Sequence, residues 1–216
     1  RRPRLTKKAT LREGGTSEGW SKARTRQIDR DGRWTIKRGR RAGPSDVGAQ
    51  PQAVAEIAVP MFGYKNHLGI DRGHGLIRRS TVTHAARHDG SQLGAVLDPN
   101  NTASRVWADT ADRSRANVEL LDRRGLRPEF QRAKPRGRPM PAHISRGNAT
   151  QARVRSLVEH VLPPFGRRLR LATQKRRMGL VVRSIGLVRA TARITLANLA
   201  CNMPRLVWIE GRSAPA

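Results

Sequence analysis

Acidic residues are scarce in this chain: 16 Asp and Glu stand against 44 Lys and Arg among 216 residues, a formal charge of +28. That imbalance means strong self-repulsion unless a polyanion lies nearby, so nucleic acid is the expected partner. Cysteine is nearly missing as well. Its one representative, Cys201, excludes an intramolecular disulfide framework and a multi-cysteine zinc site, and fits a reducing compartment. No run approaches the roughly 18 to 20 consecutive apolar residues of a membrane span. Arg1-Arg2-Pro3-Arg4 is not followed by the apolar stretch of a signal peptide. No membrane partner is expected, and the expected location is cytoplasmic, in association with the nucleoid. Aromatic residues make up 4% and hydrophobic residues 37%, below the usual apolar share of globular domains, so part of the chain is expected to be flexible.

The charge is unevenly spread. Residues 1–60 hold 15 basic and 6 acidic residues, 61–130 hold 11 and 8, and 131–216 hold 18 and 2, so the middle third is close to balance. Residues 1–41 read as a basic, weakly ordered segment, because Leu5, Leu11, Trp20, Ile28, Trp34 and Ile36 are too sparse for a continuous apolar face. Residues 42–60 carry no basic residue and are broken by Pro44, Pro51 and Pro60, which reads as a linker or insertion. Residues 61–210 read as the folded part, and 211–216 as a tail.

Within that part, Phe62, Tyr64, Asn66, Leu68 and Ile70 alternate with Gly63, Lys65, His67 and Gly69, the period of a strand. Asp71-Arg72-Gly73-His74-Gly75 reads as a turn and Leu76 to Thr83 as the returning strand of a hairpin. Ser91 to Leu97 reads as a short helix. Arg105 to Ala108 reads as a short buried strand that delivers Asp109 at its carboxyl end, where open α/β sheets place their sites. Ser114 is a candidate N-cap for a helix over Arg115 to Arg124, with Gly125 at its C-terminal cap. Leu126 to Phe130 reads as a further strand and Arg132 to Arg146 as a loop. Asn148 or Thr150 is expected to cap a helix reaching about Leu162, and a last helix is expected from about Gly186 to Cys201, ended or kinked by Pro204. The pattern is α/β.

Metal-dependent chemistry on nucleic acid uses carboxylates that hold divalent ions, so the candidates are acids in a basic setting. Only Glu159 and Glu210 lie beyond residue 130, and Glu159 falls in the Val, Leu and Arg turn RSLVEHV. Asp109 is the second candidate. Taken alone, Asp109 also reads as a turn or N-cap residue, and Glu159 as a partner of Arg155 one helical turn earlier. The six histidines have no H-x-x-x-H pair on a clear helix, and neither a Walker-type phosphate loop nor a dinucleotide fingerprint occurs.

The blocks VPMFGYKNHLGIDRGHGLIRRSTVTHAARHD, RVWADTADRS, RVRSLVEHVL and RSIGLVRATARITLANLACNMPRLVWI, in that order, resemble the insertion-sequence transposases with a DDE (Asp-Asp-Glu) catalytic domain. The resemblance covers most of residues 11–210. It implies an RNase H-like mixed sheet flanked by helices, with Asp109 as the second catalytic Asp and Glu159 as the catalytic Glu. Both would be ligands of Mg²⁺ or Mn²⁺. The implied partners are DNA, as transposon ends and target, with homo-oligomers formed by the complete enzyme. Arg155 matches the Arg of the family's Tyr-Arg-Glu-Lys signature, while Ala152 stands at its Tyr position and Gly166 at its Lys position, with Arg167 adjacent. Arg153, Arg155, Arg167, Arg168 and Lys65 are the implied DNA contacts. The family's first catalytic Asp lies on a central strand expected upstream of Arg1, so the triad and sheet are expected to lack that member. Asp112 replaces the family's usual Tyr. An impaired transposase is therefore expected; a non-catalytic nucleic-acid-binding remnant and a basic RNA-associated protein are the alternatives.

Overall fold

A computed structural model describes residues 15–16, 19–40, 56–101, 104–135, 137–160 and 184–213. The fold is mixed α/β. Its strands are β1 (Arg33–Arg40), β2 (Glu56–Ile70), β3 (Ile77–His84), β4 (Arg105–Ala108) and β5 (Arg127–Phe130). Its helices are α1 (Lys22–Arg26), α2 (Leu93–Val96), α3 (Arg115–Asp122), α4 (Ala142–His160) and α5 (Leu187–Ser213). Strands β1, β2 and β3 form one sheet in that order, and β4 pairs with β5 in a second. The chain divides into two compact units, one of Arg1–Lys65, Thr83–Ala86 and Ser184–Ala190, the other of Asn66–Val82, Arg87–Arg183 and Thr191–Ala216.

In the first unit the Ser21 side chain accepts the Arg24 amide at 3.2 Å and starts α1. Asp29 then turns the chain: its Oδ1 accepts the amides of Asp31 at 3.0 Å and Gly32 at 3.1 Å. Gly32 leaves room in the turn for the Phe62 ring, which a Cβ there would approach to 2.7 Å. β1 runs antiparallel to β2 with Trp34 opposite Phe62 and Ile36 opposite Pro60, and the Trp34 and Phe62 rings pack at 5.4 Å. The structure corrects two sequence expectations here. Part of the basic 1–41 segment is ordered as α1 and β1, and residues 56–60 of the expected linker are the first third of β2. Each strand finds its partner across a long connection, which a local composition reading does not register. The remainder of the expected linker lies outside the described residues.

The second unit contains the expected hairpin turn. The Asp71 amide bonds the Leu76 carbonyl at 2.9 Å, the Gly75 amide bonds the Asp71 carbonyl at 2.8 Å, and Gly75 takes φ +65°. Next come a 3-10 turn at Asp89–Gln92, then α2. β4 and β5 are parallel, with Arg105 opposite Arg127 and Ala108 opposite Phe130. Parallel neighbours need a crossover, and α3 supplies it. Ser114 caps α3 through the Asn117 amide at 3.2 Å, and Gly125 at φ +66° reverses the chain, as the sequence signals indicate. Leu93, Leu97, Leu121 and Phe130 form the core, with Val106, Ala108, Val118 and Leu126 against it.

Two helix limits differ from expectation. α4 begins at Ala142, so Asn148 lies inside it instead of capping it. α5 continues through Pro204 to Ser213. Pro204 removes one amide from the ladder, but the buried side of the helix is anchored elsewhere in this unit. Asn198 and Asn66 exchange an amide hydrogen bond at 2.9 Å, Asn202 accepts the Ile77 amide and donates to its carbonyl at 2.9 Å each, and Arg205 donates to the His74 carbonyl.

Candidate functional site

Asp109 follows a strand whose alternate side chains, Val106 and Ala108, enter the core. The two-residue period therefore turns Trp107 and Asp109 toward the other face of the β4–β5 pair. The Arg72 guanidinium lies 4.7 Å from the centre of the Trp107 ring. Asp109 is half-buried and caps the 3-10 turn Thr110–Asp112. Its Oδ1 accepts the Thr110 amide at 2.6 Å; in a capping box its side chain also accepts the Asp112 amide, while its own amide donates to Asp112 Oδ2 at 3.1 Å. The carboxylate at residue 112 thus has a local structural task.

The loop is fixed from behind by a residue that sequence reading missed. Asn117 is buried, and its Nδ2 donates to the carbonyls of Gly90 at 2.7 Å and Asp112 at 2.8 Å. The turns before α2 and after β4 are thereby tied together. The available signal was an Asn three positions into a Ser-capped helix, a place where an apolar or charged residue is the usual occupant.

α4 covers the same face of the strand pair as Trp107 and Asp109. Glu129 stands opposite Trp107 in register, and Gln151 of α4 approaches its Oε2 at 3.4 Å. Asn148 clasps the chain just beyond β5, accepting the Arg132 amide at 2.9 Å and donating to the Arg132 carbonyl at 2.9 Å. From Asn148 to Gln151 the helix passes from the level of Arg132 back to that of Glu129, so α4 runs antiparallel to β5. Glu159 lies on the same helix, eleven residues beyond Asn148.

The implied DNA contacts are distributed as follows. Arg153 is exposed on α4. Arg155 is on α4 near Glu159, and the side chains of both lie outside the described residues. Lys65 is half-buried on β2, in the other unit from Asp109. Arg167 and Arg168 lie outside the described residues. Among the described residues, no group of three or more His, Cys, Asp or Glu side chains is arranged to hold a metal ion. Also among them, no helix is long and apolar enough to cross a membrane. Comparison with known proteins yields no matching family model, no matching curated protein and no matching solved structure.

Proposed function

We propose that this chain is a DNA-binding protein of the DDE transposase class whose catalytic centre is not assembled, so that it holds DNA and cuts it feebly. The sequence blocks that resemble the family support this reading, as does the position of Asp109 at the carboxyl end of a parallel strand with helices on both faces. An RNase H-like sheet is the proposed parent architecture, in which β4 would neighbour the central strand and β5 would lie beyond β4. The observation that carries the conclusion is the Asp109 carboxylate itself, half-buried at the strand end and taken up in capping the Thr110–Asp112 turn. Mg²⁺ or Mn²⁺ would accordingly bind weakly, with Asp109 as one ligand and water as most of the rest.

DNA binding rests on charge. With 44 basic residues, the affinity is dominated by phosphate neutralisation and falls steeply with salt. Arg153, Arg155, Arg167, Arg168 and Lys65 are the proposed contacts. The test is fluorescence anisotropy with labelled duplex DNA at increasing salt, beside a nicking assay with Mg²⁺ or Mn²⁺. Binding that weakens by orders of magnitude between about 50 and 200 mM salt, with little nicking, supports the proposal. Binding indifferent to salt would refute it.

The charge of +28 favours a second reading, a remnant that binds nucleic acid without any preference for transposon ends. A preference for one terminal repeat that survives high salt would exclude it.

A further inference from the structure

We propose that Arg72, seated over the Trp107 ring, holds a nucleic-acid phosphodiester at the face of the β4–β5 pair that carries Asp109. The inference rests on the DNA-binding reading above and adds a contact that the sequence blocks do not assign. Arg72 stands in the turn between β2 and β3, and within the second unit its side chain reaches across to β4. Arg72 is exposed and Trp107 half-buried, with the guanidinium carbon 4.7 Å from the ring centre. Trp107 and Asp109, two residues apart on an extended strand, share one face of it.

The guanidinium is positioned but not neutralised. Other arginines of this unit pair with acids: Arg78 Nε lies 3.0 Å from Asp98, and Arg115 Nε lies 2.7 Å from Glu119. Among the described residues no carboxylate pairs with Arg72. The adjacent acid, Asp71, is engaged inside the turn, where it accepts the Gly73 amide at 3.4 Å and the His74 amide at 2.7 Å and faces His74 Nδ1 at 2.9 Å. A ring beneath a guanidinium restrains its plane and leaves the N–H donors along its edge unused. That fork matches two oxygens of one phosphate. The face also needs a cation before it can accept a phosphodiester. Asp109 lies on it, and Glu129, half-buried, stands opposite Trp107 in register, so two carboxylates repel a phosphate there unless a positive charge offsets them.

The test is the affinity of the whole chain for labelled duplex DNA across a salt series, compared between the wild type and three variants. Arg72→Gln is expected to lower the slope of log affinity against log salt by about 0.9, the counterion release of one phosphate. Arg72→Lys should keep the slope and bind several-fold more weakly, because an ammonium group has no fork. Trp107→Leu should weaken binding several-fold, and should cost nothing further in the Arg72→Gln background, since Trp107 acts through Arg72. Thermal melting is followed in parallel: a merely structural stack would move the melting temperature and leave the salt slope alone. Because Arg72 is exposed, its two variants decide the matter even where Trp107→Leu unsettles the strand. A wild-type chain that does not bind DNA would refute the reading on which this inference rests. A wild type that binds with a steep salt dependence, matched in slope and affinity by folded Arg72→Gln, would overturn this inference alone.

Discussion

The Tyr64 hydroxyl stands 2.7 and 2.6 Å from the two carboxylate oxygens of Asp29, a residue 9% exposed and thirty-five positions earlier in the chain. Asp29 also holds the amides of the turn into β1, so the pair locks that turn to the middle of β2.

Tyr64 is the chain's single tyrosine, which makes this relationship directly measurable. Burial, the hydrogen bond to Asp29 and the charges of Asp29 and Asp31 push its ionisation well above the ordinary value of 10.0, with Arg33 opposing them. The folded state therefore favours the protonated phenol. Its contribution to stability is complete below about pH 10 and is lost progressively as pH rises further. Tyrosinate absorbance should appear together with unfolding during an alkaline titration. Tyr64→Phe should cost about 1–2 kcal/mol in urea denaturation at neutral pH, and the loss should shrink as pH climbs. Free ionisation near pH 10 without unfolding would show that the pair is not formed.

Gly69 on β2 packs against α2 so closely that an added Cβ would lie 2.1 Å from the Val96 carbonyl oxygen. Gly69→Ala should destabilise the chain by about 1–3 kcal/mol, since backbone must move to admit it. Gly147 on α4 has open space around it, and Gly147→Ala should be neutral or slightly stabilising in the same denaturation experiment.

Asn117→Ala removes the donor shared by the Gly90 and Asp112 carbonyls. A loss of about 1–3 kcal/mol is expected, with faster amide exchange in the turns at residues 89–92 and 110–112. Exchange confined to the helix itself would assign Asn117 to α3 alone.

The elements that the sequence announces are those with local causes. The hairpin follows from alternation and Gly75, and α3 follows from Ser114 and Gly125. The βαβ order follows from two short apolar strands around a capped helix. What is not legible is set by partners distant in sequence. β1 is basic and thinly apolar, and becomes a strand because residues 56–63 lie beside it. Asn148 reads as a cap but serves as a clasp on Arg132 from within a longer helix. Pro204 reads as a stop, yet α5 passes it because Asn198, Asn202 and Arg205 hold its inner side to the β2–β3 hairpin. Of the candidate site, the position of Asp109 at a strand end is visible in RVWAD, whereas the tie that Asn117 makes behind it is not, because its partners are the backbone carbonyls of Gly90 and Asp112, which residue types do not encode.

The central claim, that DNA binding persists without an assembled catalytic centre, is tested most directly by comparing the wild-type chain with Asp109→Asn. Each is titrated with duplex DNA across a salt series in the presence of Mn²⁺, and nicking is followed in the same samples. The account predicts equal affinities with the same steep salt dependence and equally slight nicking in both proteins. Vigorous metal-dependent nicking by the wild type that Asp109→Asn abolishes would contradict it, by demonstrating a working centre around Asp109.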